Sequence, residues 1–289
     1  MRIPLHCREY SIGRGALLRN IRVYLRLASL LIRIQMKLSG VLVACNENTH
    51  YLDFWPVVKE AWWKIAGLPC VMVYVGETLP SYLQNDPAVR FFKAIPDWPT
   101  ATQAQIIRLL YPALLGSSGA IMLSDMDMIP MQKDFFVEGF KQFPDDLFVS
   151  LRGIDEGEQQ IYMCYVGATP TVWSKMFQIK TEDDIRARLI SYSEQYPSNG
   201  RHGGLGWCSD QMELYRVVKA AEPTKIGIVP WTPQIPRIDR LEQADYDAQK
   251  HVINDALRGG IVVDYHMPPF KGNEAVIQSL IEVRCRETR

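Results

Sequence analysis

Overall charge is what this chain most plainly lacks: 32 Lys and Arg balance 32 Asp and Glu across 289 residues. A nucleic-acid partner therefore gains no support from net charge. No CxxC pair occurs, and the six cysteines (Cys7, Cys45, Cys70, Cys164, Cys208 and Cys285) are scattered. Most lie in apolar runs and a chain this long needs no staples, so they read as reduced thiols in a cytoplasmic setting. Apolar runs are too short, or too interrupted by arginine, to span a bilayer. Nothing after Met1 has the basic region, apolar stretch and cleavage site of a secretory leader. Internal repeats and low-complexity segments are missing. What remains, at 47% hydrophobic and 22% charged, is a globular chain within the size of one large α/β domain.

Acids are also missing locally. From Tyr10 to Asn46 no Asp or Glu occurs. Within this stretch residues 14–38 predict one basic amphipathic helix, with Arg19, Arg22, Arg26, Arg33 and Lys37 along one face and leucine and isoleucine elsewhere. Two readings of it stand side by side: a solvated basic face on a packed helix, or an interfacial helix making peripheral contact with an anionic membrane. Residues 1–39 are thus set apart from a single domain over 40–289.

Strand and helix signals then alternate. "GVLVACN" (40–46), "PCVMVYVG" (69–76), "VRFFKAI" (89–95) and "AIMLSD" (120–125) read as strands, the apolar ones as buried. Between them "YLDFWPVVKEAWWKIA" (51–66) and "TATQAQIIRLLYPALLG" (100–116) read as helices, the second disturbed at Pro112. This order predicts an α/β fold with a mostly parallel central sheet and helices on both faces. Ligands in such sheets bind beyond the carboxyl ends of the strands, where Asn46 and Asp125 fall. The second half predicts strands at 146–152, 160–170, 225–230 and 260–267. Helices are expected at 181–196, capped by Thr181 with Asp184, at 209–221, as an acidic helix after a proline-rich connection between the last two strands, and at the carboxyl end. A glycine-rich loop, 197–207, precedes the helix at 209.

The chemistry lies in "AIMLSDMDMIP". Asp125 and Asp127 stand at i and i+2 after a buried strand, so both face one side. Paired carboxylates repel unless a cation lies between them, and a hard divalent ion such as Mn²⁺ or Mg²⁺ suits oxygen ligands beside substrate phosphates. "VVDYHMPPFKG" puts His266 just past another buried strand, a suitable third ligand. Lys271 follows as a point charge for a phosphate. The bland alternatives are a turn before Pro130 and a histidine with a backbone partner. "WCSDQMELY" offers a second constellation: Asp210 and Gln211 open a helix, where Ser209 or Asp210 could equally be an ordinary N-cap with Glu213 completing a capping box. Arg237, Asp239 and Arg240 in "PRIDRLE" either reach the site or decorate a turn.

Taken together, "VACNEN", "QIIRLLYPALL", "LSDMDMIPM", "DQ" at a helix start and the late His resemble the nucleotide-sugar glycosyltransferases of the GT-A, Rossmann-like fold, nearest the retaining glycogenin and galactosyltransferase-like branch. The likeness runs over residues 40–272 in order of elements. It implies a nucleotide-binding half at 40–150 and an acceptor-side half at 151–289. It implies that Ala44, Cys45 and Asn46 hold the nucleoside of a UDP-linked donor. Arg108, Ser124, Met126 and Lys271 would line the phosphates and sugar, Asp125, Asp127 and His266 would hold Mn²⁺, and Asp210 and Gln211 would orient the sugar. The acceptor would be a hydroxyl, that of a glycan in this family. Two departures stand out. The family's His, Gly, Lys spacing becomes His266, Pro269, Lys271, Gly272, and of its Asn-Gly strand motif only Gly167 remains. Two other classes stay open: a nucleotidyltransferase, against which the glycine-poor "CNENTHYLDFW" speaks, and a non-catalytic membrane-associated binding module.

Overall fold

β1 (Leu38–Cys45) is buried along almost its whole length, as a strand covered on both faces must be. The chain then turns through α1 (Thr49–Leu52), where the Asn48 side chain accepts a bond from the His50 N–H at 3.0 Å. Next comes α2 (Trp55–Ala61), with Pro56 in its first turn. A π-turn over Trp62–Ala66 ends at Gly67, whose φ of 71° is left-handed. β2 (Cys70–Gly76) and β3 (Val89–Lys93) follow. α3 (Thr100–Leu110) tightens into a 3₁₀ turn over Tyr111–Leu114, because Pro112 supplies no N–H to continue the α-helix. β4 (Ala120–Leu123), β5 (Met128–Pro130), α4 (Lys133–Lys141), β6 (Phe148–Ser150) and β7 (Val166–Ala168) complete the central region. Then come α5 (Pro170–Phe177), α6 (Glu182–Gln195), α7 (Ser209–Ala220), β8 (Ile226–Ile228), β9 (Arg237–Asp239), α8 (Gln243–Arg258), β10 (Asp264–His266) and α9 (Glu274–Glu287). These elements belong to a computed structural model that describes residues 34–228 and 235–287.

The central sheet has seven strands in the order β3-β2-β1-β4-β7-β6-β8. β3, β2, β1 and β4 run parallel, β7 is antiparallel to both neighbours, and β8 is parallel to β6. Alternate side chains of β1 feed two cores. Val41 and Val43 pack with Trp62, Phe136 and Leu280 on one face, while Leu42 packs with Ile106, Trp173, Leu189 and Leu214 on the other. The α/β architecture with helices on both faces is thus as expected. The strand order reverses at β1 and β4, and such a switch point opens a crevice at the carboxyl ends of the strands.

A second sheet, β5-β10-β9, sits beside that crevice. β10 is antiparallel to β5, with His266 opposite Met128, and parallel to β9, with His266 opposite Asp239. This register brings the residue before β5, Asp127, to His266, and sets Arg240 next to both.

Some expectations fail in detail. The helix expected over 14–38 lies for the most part outside the described residues, and its last part is not helical. Gln35 forms a bridge with Pro144, the Met36 N–H bonds the Phe143 carbonyl at 2.7 Å, and Leu38 starts β1. Of the strand expected at 160–170 only Val166–Ala168 joins the central sheet, Gln160 making an isolated bridge to Asp155, because Met163–Tyr165 forms a 3₁₀ turn. β5, β9, α4 and α5 were not anticipated. Gly167 is required in β7, since a Cβ there would stand 2.7 Å from the Phe140 ring and 3.1 Å from the Ile121 carbonyl. No described helix is long and apolar enough to cross a membrane.

Candidate active site

Ala44, Cys45 and Asn46 close β1 at the rim of a cleft of about 370 Å³. The Asn46 side-chain amide donates to the Thr100 hydroxyl at 3.0 Å, and its carbonyl accepts the Asn48 N–H at 3.3 Å. These bonds fix the exit of β1 against the start of α3. Burial pushes the Cys45 thiol up to about 12, so it is a packing group and not a nucleophile.

Arg108, in the last turn of α3, is the hub of the floor and only 8% exposed. One guanidinium nitrogen donates to the Ser124 carbonyl at 3.1 Å and to the Asp125 carboxylate at 2.5 Å, and the other reaches Asp210 at 2.8 Å. Burial opposes the arginine's charge, yet the two carboxylates more than restore it and raise its pKa. Asp210 is 1% exposed, and its second oxygen accepts the Gln211 N–H at 2.9 Å. Burial pushes its carboxyl up, with Arg108 pulling the other way.

Asp210 is not the N-cap of α7. Cys208 occupies the N-cap of α7 without a side-chain bond, and the Ser209 hydroxyl donates back to the Gly206 carbonyl at 2.7 Å. The capping box that the sequence left open as an alternative is not formed. Glu213 instead accepts the Tyr192 and Tyr196 hydroxyls at 2.6 and 2.7 Å and pairs with Arg216. The Gln211 side-chain carbonyl is buried beside the cleft with no hydrogen-bond partner among the described residues, an unusual state for a polar atom unless a ligand group completes it.

Across the floor, Asp125, Asp127 and His266 each offer a ligand atom, all within 4.8 Å of one another. Nε2 of His266 lies 3.0 Å from one oxygen of Asp127, and Nδ1 lies 3.5 Å from Asp239. Arg240 takes the other Asp127 oxygen at 2.9 Å. Burial raises Asp127, but the imidazole and then Arg240 outweigh it and hold the carboxyl below its usual range. For His266 burial favours the neutral ring, and Asp127 reverses this and raises the pKa. Two carboxylate oxygens and one imidazole nitrogen form a donor set that fits Mn²⁺ or Mg²⁺.

Of the residues singled out from sequence, Ala44, Cys45, Asn46, Arg108, Asp125, Met126, Asp127, Asp210, Gln211 and His266 line this one cleft. Ser124 lies just beneath, fully buried, presenting its carbonyl to Arg108. Lys271 does not join them: it is exposed, between β10 and α9, and away from the cleft lining. The lining also includes Arg152, whose guanidinium stacks on Tyr162 at 4.0 Å, with Arg237 and Arg240. Arg237 pairs with Asp264 at 3.0 Å and donates to the Tyr165 hydroxyl at 2.6 Å. The glycine-rich loop closes one side, with the Tyr51 hydroxyl 2.8 Å from Nδ1 of His202, which packs on Trp207 at 4.3 Å between ring centres. The only sequence sign of the Arg237 and Arg240 contribution was a charged cluster at the end of a proline-rich stretch.

No family model matches the chain, and no curated protein matches it. Solved structures give distant likenesses. The galactosyltransferase LgtC, in complex with donor and acceptor sugar analogs, is 11% identical with a TM-score of 0.41, over 86% of this chain and 96% of that one. The apo-form glycosyltransferase GlyE of Streptococcus pneumoniae TIGR4 is 10% identical with a TM-score of 0.43, over 87% of this chain and 63% of that one. The bifunctional glycosyltransferase WbbM is 10% identical with a TM-score of 0.37, over 86% of this chain and 50% of that one.

Proposed function

We propose that this chain is a metal-dependent glycosyltransferase of the GT-A type that moves a sugar from a nucleotide diphosphate, UDP above all, to an acceptor hydroxyl of a glycan. The observation that carries this reading is the convergence of Asp125, Asp127 and His266 with Asp210 and Gln211 around one cleft at the reversal of strand order. Asp125, Asp127 and His266 would hold the divalent ion, which supplies Lewis acidity to neutralise a departing diphosphate. Ala44, Cys45 and Asn46 would seat the nucleoside against the end of β1. The carbonyl of Gln211, without a partner among the described residues, would accept a sugar hydroxyl.

Asp210 has both oxygens engaged, by Arg108 and by the Gln211 N–H. That favours orienting the sugar over taking a proton from the acceptor, and so favours retention over inversion. Arg108 holds Asp125 and Asp210 at a fixed separation from one rigid helix, the preorganisation that transfer chemistry needs. Trp207 and His202 would wall the acceptor side.

The test is thermal unfolding of the full chain with UDP and UDP-sugars, with and without Mn²⁺. A metal-dependent rise in midpoint that vanishes in Asp127→Ala supports the reading. A nucleotide effect indifferent to metal and to Asp127 would contradict it.

A further inference from the structure

The outer face of the candidate metal site is occupied by a positive charge of the protein's own. Arg240 follows β9 in a left-handed conformation, with φ of 50°. Its backbone N–H bonds the His266 carbonyl at 2.8 Å, which ties it to the strand that carries the imidazole. Its guanidinium lies 2.9 Å from one Asp127 oxygen and 3.4 Å from Nε2 of His266, and donates to the Met267 carbonyl at 2.7 Å. The other Asp127 oxygen is taken by His266. Both carboxylate oxygens are thus spoken for, and a unit positive charge stands beside the imidazole nitrogen that a metal would need.

We infer that Arg240 is an internal counter-cation that competes with the divalent ion for Asp127 and, when a nucleoside diphosphate arrives, transfers its guanidinium to the phosphates. The inference rests on the reading above and deepens it by assigning the phosphate contact. Like charges at this separation repel appreciably even where solvent screens them, so an ion alone binds against Arg240. A diphosphate removes the conflict, because a planar guanidinium pairs with phosphate oxygens in bidentate fashion. Arg240 is 43% exposed and lines the cleft, and its backbone anchor to His266 does not depend on the side chain. The other arginines of the cleft are held elsewhere: Arg108 by Asp125 and Asp210, Arg237 by Asp264 and Tyr165, and Arg152 over Tyr162. Lys271, the phosphate ligand suggested by sequence, is outside the lining. Metal and nucleotide should therefore bind cooperatively, with Arg240 as the coupling residue.

The experiment measures Mn²⁺ binding by electron paramagnetic resonance for the full chain, Arg240→Gln, Arg240→Lys and Asp127→Asn, with Mn²⁺ alone and with UDP. In the wild type, UDP should tighten Mn²⁺ by about tenfold or more. Arg240→Gln should bind Mn²⁺ alone about tenfold more tightly than the wild type and gain less from UDP. Arg240→Lys, which keeps the charge, should stay as weak as the wild type with Mn²⁺ alone. If the wild type binds Mn²⁺ and Asp127→Asn does not, yet Arg240→Gln binds no more tightly, the counter-cation is refuted while the metal site stands. Equal tightening in Arg240→Gln and Arg240→Lys also refutes it, since charge is then not the cause. If no form binds Mn²⁺, with or without UDP, the metal reading itself falls. Arg240→Met replaces Arg240→Gln, with the same expectation, should the latter fail to fold by circular dichroism.

Discussion

Removing Arg108 isolates the most consequential electrostatic contact of the floor. Arg108→Ala leaves two carboxylates without their common partner, and the two are not equally placed. The Asp125 side chain is 29% exposed and can be hydrated from the cleft, whereas Asp210 is 1% exposed and cannot. The cost is therefore set by Asp210, an uncompensated buried charge, and breaking such a pair costs about 3–5 kcal/mol. Asp210→Asn removes the charge but keeps a carbonyl to accept from Arg108, so it should cost less, about 1–3 kcal/mol. The double variant should be less destabilised than the sum of the singles by at least about 1 kcal/mol, because Arg108→Ala no longer strands a charge. Urea unfolding at neutral pH measures all three. pH gives an independent sign. With Arg108 gone, burial and the Asp125 charge raise the folded-state pKa of Asp210 further, against only the Gln211 N–H bond, so between the unfolded and the raised value the native state holds a proton that the unfolded chain has released. The stability of Arg108→Ala should then fall as pH rises from about 4 towards that raised value. A loss below about 1 kcal/mol, additive with Asp210→Asn, would refute the buried-charge account.

Three further outcomes are expected. The pKa of His266 is raised in the fold, so its bond to Asp127 contributes stability fully below the unfolded histidine value of about 6.5, a contribution lost as pH rises through the folded value; Mn²⁺ must displace that proton, so its affinity by resonance titration should climb between about pH 5.5 and pH 8, and a flat profile would contradict the assignment. Gly167→Ala would drive a methyl to 2.7 Å from the fully buried Phe140 ring and should cost about 1–3 kcal/mol in urea unfolding, with a cost near zero excluding the close approach. Gln103 is fully buried and bonds the Ile95 N–H, the Ile95 carbonyl and the Trp98 carbonyl at 2.9, 2.9 and 2.7 Å; Gln103→Leu leaves all three unpaired and should cost about 3 kcal/mol, with hydrogen exchange faster at Ile95.

Much of the fold was legible because β1, β2 and β4 are near-continuous apolar runs, and only a parallel sheet covered on both faces buries strands of that kind. The same pattern pointed to the cleft, since Asn46 directly follows β1 and Asp125 follows β4 after Ser124. Two short strands were not legible, whereas the equally short β6, β7, β8 and β10 fell inside longer expected runs. β5 and β9 are three residues each, too short for periodicity, and exist through pairing with β10. Yet it is this small sheet that joins Asp127 to His266 and brings up Arg240, contacts made across 139 and 113 residues of sequence by register alone. α5 was hidden because "GATP" reads as the end of a strand, although Thr169 and Pro170 are good opening residues for a helix. Lys271 is the one site residue named from sequence that is exposed and outside the cleft lining: a lysine five residues after His266 looks well placed along the chain, but it sits in the connection between β10 and α9.

Asp125, Asp127 and His266 are expected to grip one divalent ion together. Crystals of the full chain soaked in Mn²⁺ and UDP, with diffraction recorded at the manganese edge, test this most directly. One anomalous peak within about 2.0–2.3 Å of a carboxylate oxygen of each aspartate and a ring nitrogen of His266 is the predicted result. Saturating Mn²⁺ and UDP with no peak there, or a peak that excludes Asp127, would contradict it.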